Sequence, residues 1–207
     1  AIQSMIYCMI SMVLTRMVSA FGAAAIAVQR VGGQIESVSW NTADGFASAL
    51  NAFTAQNFGA KKTERIQKGI KSAVITSAVF CIFISFVVFI LAKPLMLIFI
   101  DESEMEIISA GVHYLRIEGL FYIGIGILFL FYGFYRAVKI PAMSVVLTVI
   151  SLGTRVVLSY TLSQIPSIGV TGIWMSIPIG WGLADIAGFI YYKMHKTKIE
   201  KNIISDK

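Results

Sequence analysis

Six long apolar runs separated by short polar connections constrain this chain more than any other feature. They cover residues 2–19, 31–58, 72–91, 107–135, 141–162 and 169–192. A helix needs about 20 apolar residues to cross a bilayer, and each run approaches or exceeds that length. In hydrocarbon every backbone N–H and C=O must find a partner within the chain, so such runs are read as helices. Composition agrees, with 57% of the 207 residues hydrophobic, 14% charged and a mean hydropathy of +0.79. A soluble domain carries roughly a quarter charged residues, so an ordinary soluble enzyme is excluded along with a disordered tail and a disulfide scaffold. The expected fold class is an all-α integral membrane protein. Its six-helix transmembrane bundle covers residues 1–195, and a basic cytoplasmic tail follows at 196–207.

The breaks between runs have physical reasons. Gly59 ends the second, Lys93 and Pro94 close the third, and Pro141 suits the first turn of the fifth. Gln164, Ile165, Pro166 and Ser167 make the last tight turn. An amphipathic lead-in from Ala23 precedes the second run, and Pro178 is expected to kink the sixth. Residues 94–100 are too short to span and are placed at the outer surface as an amphipathic turn.

The net charge of +6 has a topological pattern. Lys61, Lys62, Arg65, Lys68 and Lys71 follow the second run, Arg136 and Lys139 follow the fourth, and Lys193, Lys196, Lys198, Lys201 and Lys207 follow the sixth. These are 12 of the 17 basic residues. The opposite connection holds Asp101, Glu102, Glu104 and Glu106 against a single Lys93. The positive-inside rule therefore puts the basic loops and both ends of the segment in the cytoplasm, in a bacterial plasma (inner) membrane. Six spans agree with that parity. No basic patch is interleaved with aromatics as a nucleic-acid surface would be, so the expected surroundings are lipid bilayer and no nucleic acid. Cys8 and Cys81 lie in apolar runs and read as small hydrophobes. The chain opens directly in an apolar helix without a starting Met, which suggests a piece of a longer one.

The second run carries an unusual stripe. Arg30, Gln34, Ser37, Asn41, Asp44, Ser48 and Asn51 step by four and three along one helical face with no apolar member. Against lipid such a stripe is costly, so it is expected to face a bundle interior or a water-filled cavity. Hydrogen bonding between helices is the alternative. The fifth run repeats the pattern with Ser144, Thr148, Ser151, Arg155 and Ser159. In the sixth, Trp174, Pro178, Trp181 and Asp185 share a face, with Trp174 equally suited to an interfacial anchor. Counted from the basic side, Asp44 and Arg155 both lie 14 residues in, roughly 21 Å deep, and are matched as a pair. Asp185 lies only about 12 Å in. Such a pair either lines a transport cavity or merely neutralises two costly charges. Arg30, Glu36, Arg116 and Glu118 are read as interfacial charges that snorkel or pair. The fourth run is rich in Gly and aromatic residues, of which Tyr122 is singled out for a hydroxyl deep in the span.

No catalytic constellation is present. His113 and His195 lie at opposite ends of their runs, and there is no HExxH, Gly-x-Ser-x-Gly, Walker loop or metal-spaced Cys/His cluster. The reading is therefore of a non-enzyme without metal or cofactor.

Three strings go further. AQNFGAKK at 55–62 resembles the end of the second helix in a six-helix lobe of multidrug and toxic compound extrusion (MATE) transporters. GLFYIGIGILFLFYGFYRAVKIPAMSVVLTVISLGTRVVLSY at 119–160 resembles their tenth and eleventh helices, and GVTGIWMSIPIGWGLADI at 169–186 the twelfth. The resemblance implies the C-terminal six-helix lobe of a two-lobe secondary transporter. It further implies export of amphipathic or cationic compounds in exchange for H⁺ or Na⁺ by alternating access, with the N-terminal six-helix lobe upstream in the same chain. The cavity is expected, from the stripes and the deep charges, to be lined by Gln34, Ser37, Asn41, Asp44, Ser48, Asn51, Tyr122, Arg155 and Asp185. One Na⁺-coupled branch places acidic residues in its seventh and tenth helices, where this sequence has Tyr7 and Ile125. A lipid-linked saccharide flippase of the same superfamily and a non-transporting membrane subunit are the alternatives.

Overall fold

The computed structural model describes residues 2–205. The described residues form seven α-helices and no strands, consecutively α1 (Ile2–Ser19), α2 (Ala23–Gly59), α3 (Thr63–Leu97), α4 (Met105–Gly119), α5 (Tyr122–Ala137), α6 (Pro141–Ser163) and α7 (Val170–Ser205). The connections are short, and two turn residues, Lys61 and Lys139, take positive φ to reverse the chain. The all-helical membrane bundle expected from the sequence is what forms.

Three boundaries differ from the sequence reading. The fourth run is two helices, α4 and α5, bent by 50° at the break after Gly119. No proline marks this break. It falls where the Glu118 side chain is wholly buried, so tertiary packing sets it. Helix α3 does not stop at Lys93 but continues through Pro94 to Leu97, replacing the expected surface turn. Proline is tolerated there because it removes a single N–H bond close to the helix end. Helix α7 likewise extends past residue 192 to Ser205, so the basic tail continues the last helix. Pro178 lies within that same helix.

By apolar length and composition, α3, α6 and α7 qualify as spans, and the bent α4–α5 pair makes a fourth. Helix α2, at 37 residues, is long enough but too polar to sit in lipid unshielded. Helix α3 is the most lipid-like, with only 17% of its most apolar window buried. Its outward rings and methyls include Val79, Ile82, Phe83, Phe86 and Ile90. The core lies between α2, α4, α5, α6 and α7, where Tyr122, Leu128, Leu147, Trp174 and Trp181 are buried.

Close approach of helices is set by small residues. A Cβ on Gly133 of α5 would collide with the Ala47 backbone of α2. One on Gly180 of α7 would stand 2.5 Å from the Ser151 carbonyl of α6. The polar stripe of α6 mostly serves this packing. Ser144 Oγ donates to the Tyr132 carbonyl at 3.3 Å, and the Ser159 and Ser176 hydroxyls share a 2.7 Å hydrogen bond between α6 and α7.

Candidate functional site

The polar stripe of α2 faces outward from the bundle. Gln34, Ser37, Asn41, Asp44 and Ser48 are all exposed, alongside the lipid-like exterior of α3 and α7. Seven consecutive polar positions at helical spacing leave this face without an apolar partner, so water or protein must meet it. At its inner end Asn51 turns inward, and its Nδ2 donates to the Gly133 carbonyl at 2.9 Å.

A cavity of about 370 Å³ opens beside this stripe, lined by Tyr7, Trp40, Asp44, Phe129, Arg155 and Trp181 among others. Trp40 is the hub of its aromatic wall. Its ring meets Tyr7, Phe129 and Trp181 edge-on, with centroids 6.1, 6.2 and 6.1 Å apart. Asp44 and Arg155 thus do share one cavity, as their matched depth suggests. Thr148 and Ser151 of α6 reach it too, and Arg136 stands among the lining residues with its Nε donating to the Tyr132 carbonyl at 3.0 Å. The cavity thus joins an aromatic wall to charged groups of both signs, the Asp44 carboxylate and the Arg136 and Arg155 guanidiniums.

A second cavity of about 330 Å³ lies further along α2, lined by Tyr7, Ser37, Asn41, Glu36, Tyr114 and Arg155 among others. Behind it sits a group the sequence reading had placed at the interface. Glu36 is 5% exposed and Glu118 fully buried. The Tyr114 hydroxyl donates to Glu36 Oε2 at 3.0 Å. Glu36, Glu118, Tyr114 and Tyr122 cluster here and hydrogen-bond among themselves. The electrostatic neighbours of this pair are Tyr114, Tyr122 and the Arg155 guanidinium.

Several expectations are corrected here. Arg155 stands beside Glu36 and Tyr114 on the smaller cavity as well as beside Asp44 on the larger, and the depth count that ranked Asp44 ahead of Asp185 as its partner took both helices as straight and upright. Tyr122 does not line the cavity but is buried against the carboxyls, because the α4–α5 bend turns it inward. Asp185 stands behind the wall, with Oδ2 3.7 Å from where a Gly124 Cβ would be, and Tyr132 is its neighbour. Trp174 is neither anchor nor cavity lining. It is buried edge-on to Tyr114, centroids 5.4 Å apart. Gln34 and Ser48 share the stripe without lining either cavity.

The signal for Glu36 was in the sequence. The buried face of α2 runs Val28, Gly32, Glu36, Ser39, Ala43, Ala47, Leu50 and Thr54. A lone carboxylate in a row of small residues at helical spacing is a buried carboxylate, because small residues mark where helices press together. Gly32 makes the room, since a Cβ there would strike the Tyr114 ring that holds Glu36.

A family model, MatE, matches residues 1–161, more than half of the chain. The chain belongs to the MatE family. Among curated relatives, a probable multidrug resistance protein NorM from Thermotoga maritima is 26% identical over 166 residues, 80% of this chain and 34% of that protein. Among solved structures, an outward-facing multidrug resistance MATE-family transporter of the MOP superfamily superposes with a TM-score of 0.89 at 18% identity, covering 96% of this chain and 44% of that one. A MOP-superfamily transporter from Pyrococcus furiosus, whose binding pocket is described as of reverse polarity, gives 0.89 at 17% identity, covering 96% and 45%. A MATE structure in a bent conformation gives 0.88 at 18% identity, covering 98% and 45%. At those identities the superpositions establish the MatE fold. The chain spans about a third to under half the length of these relatives. MatE membership and its apolar helices make it a membrane-embedded chain.

Proposed function

We propose that this chain is the C-terminal lobe of a secondary multidrug exporter, with the N-terminal lobe upstream. It moves amphipathic or cationic compounds outward in exchange for H⁺ or Na⁺. The observation that carries this reading is the cavity in which Trp40, Phe129, Trp181 and Tyr7 surround space reached by Asp44. Rings take the apolar body and the carboxylate takes the charge, without hydrogen bonds that would demand one particular molecule. The exposed stripe of α2 would form one wall of a central path, with the second lobe opposite. Rocking of the two lobes would alternate access to it.

The basic loops are proposed to face the cytoplasm of a bacterial cell. A Lys139→Cys variant should then resist a membrane-impermeant maleimide in intact cells, while Glu102→Cys reacts. Function is tested by ethidium efflux from cells lacking other exporters, in Na⁺ and Na⁺-free buffers. Efflux abolished by collapsing the ion gradient, and weakened in Asp44→Asn, is the expected result. Gradient-independent retention of ethidium and other amphipathic cations would overturn the reading.

A further inference from the structure

Helices α2 and α3 leave a slot between them, apart from the cavities around Trp40. It encloses about 460 Å³ and is lined by Phe46 and Phe53 of α2 and by Arg65, Lys68, Ser72 and Thr76 of α3, among others. Its walls are two rings and small residues. Phe46 is held edge-on to Phe80, with centroids 5.7 Å apart. Phe53 leans over Gly69, where a Cβ would strike its ring. Ala49 and Ala73 leave the middle of the slot open.

The order of residues along α3 gives the slot a polarity. Arg65, Gly69, Ser72 and Thr76 step by four and three along one helical face, and Val79, Phe83, Phe86 and Ile90 continue it at the same spacing. The last four are exposed and apolar. Helix α3 is also the most apolar of the candidate spans, so this half lies in hydrocarbon and the Arg65 end falls at headgroup level. Charge there is predominantly of one sign, since residues 61–71 hold five basic side chains and a single carboxylate, Glu64. The bundle leaves the slot open, with Arg65, Lys68, Ser72 and Thr76 all exposed. Residues 46, 49 and 53 lie on the side of α2 away from Asp44 and Ser48, so a second lobe meeting the polar stripe does not cover it.

Cationic head, then hydroxyls, then exposed hydrocarbon is the complement of an acidic lipid read from headgroup to chain. We propose that the slot binds one anionic phospholipid, with its headgroup phosphate on Arg65 and Lys68 and an acyl chain between Phe46 and Phe53. A guanidinium grips phosphate through paired N–H donors, and basic pockets between spanning helices take such headgroups. The Ser72 and Thr76 hydroxyls stand where the ester oxygens pass. From Arg65 to Thr76 the slot runs about 17 Å at 1.5 Å per residue, enough for headgroup, glycerol and the first part of a chain. The lipid braces α2 against α3 on the side opposite the polar stripe. The site does not depend on what the cavity beside Asp44 carries, so failure of the exporter reading leaves it standing.

The test titrates the full-length protein in neutral detergent with dioleoyl phosphatidylglycerol or dioleoyl phosphatidylcholine and reads retained lipid by native mass spectrometry. One phosphatidylglycerol should be retained in preference to phosphatidylcholine. Arg65→Gln and Lys68→Gln should each weaken that retention about fivefold. Lys193→Gln combined with Lys196→Gln removes as much charge from the end of α7 and should leave it unchanged. Ala49→Trp keeps every charge but fills the slot, and should weaken retention too. Phosphatidylglycerol with a photoactivatable acyl chain locates the lipid on the unaltered protein, and its crosslinks should fall within residues 46–53 and 69–76. The proposal is overturned if phosphatidylcholine is held as well, or if the α7 lysine pair matters as much as Arg65 and Lys68. It is equally overturned if the crosslinks fall elsewhere, or if glycerol 3-phosphate is retained as strongly as the lipid, which would make this a site for soluble phosphates.

Discussion

The contact between α2 and α5 sets the cavity, because it places Asp44 and Asn51 against Phe129, Tyr132 and Gly133. Replacing Gly133 with alanine would put a methyl carbon onto the Ala47 carbonyl and its backbone neighbours. Backbone of a packed helix cannot rotate aside as a side chain does, so the helices must separate. Overpacking of this kind costs about 1–3 kcal/mol. Separation also stretches the 2.9 Å bond from Asn51 Nδ2 to the Gly133 carbonyl, worth about 1 kcal/mol. Against these stands a gain of about 1 kcal/mol from replacing glycine within a helix. The net is a loss of roughly 1–3 kcal/mol, which in a protein of this size lowers Tm by about 2–12 °C. Gly153 in α6 is the control, because a Cβ there meets nothing within 4 Å. Gly153→Ala should keep the propensity gain and hold or raise Tm. Thermal unfolding of both variants in detergent, read by loss of the monodisperse peak, makes the comparison. A Gly133→Ala variant as stable as Gly153→Ala would refute the close-approach argument.

Two further predictions follow from single contacts. Trp40→Ala removes the hub of three edge-on ring pairs, and loss of one cation–π contact of about 1 kcal/mol should weaken ethidium binding roughly fivefold, measured by fluorescence titration. In the loop after α3, Asp101 Oδ1 accepts from the Ser103 N–H at 2.9 Å and its hydroxyl at 2.7 Å, and these bonds hold the exposed carboxyl below its ordinary range. A depressed carboxyl stabilises the loop above its unfolded value and loses that contribution as pH falls through the folded one. Protection factors of the amides around residues 101–104, with the intrinsic exchange rate at each pH divided out, should therefore fall on acidification, and Ser103→Ala should flatten that dependence.

How much of this was legible depends on what each residue reports locally. The start and end of α1 and the start of α6 follow from apolar runs bounded by a turn and by Pro141, both local signals. The polar stripe of α2 was equally plain, since its period needs no tertiary knowledge. The break after Gly119 was not, because the apolar string across it carries no proline and only packing around Glu118 bends it. Glu36 and Glu118 were misplaced for a related reason. Counting residues from the helix ends gives depth but not azimuth, and a carboxylate near an interface by depth was taken to face it. The small residues flanking Glu36 held the azimuth, but attention to the longer polar face hid the narrower buried one. The place of Arg155 on the polar face of α6 was legible from its period, while its neighbours depended on helix tilt that a linear count ignores.

The central claim is that the α2 stripe faces a water-filled, substrate-bearing path. Single cysteines along residues 34–48, in a Cys8→Ser, Cys81→Ala background, probed with a membrane-impermeant thiol reagent, test it most directly. Positions 34, 37, 41, 44 and 48 should react, positions 36, 39, 43 and 47 should not, and tetraphenylphosphonium should protect 41 and 44. Reaction without that period, or an unreactive stripe at every position, would contradict the account.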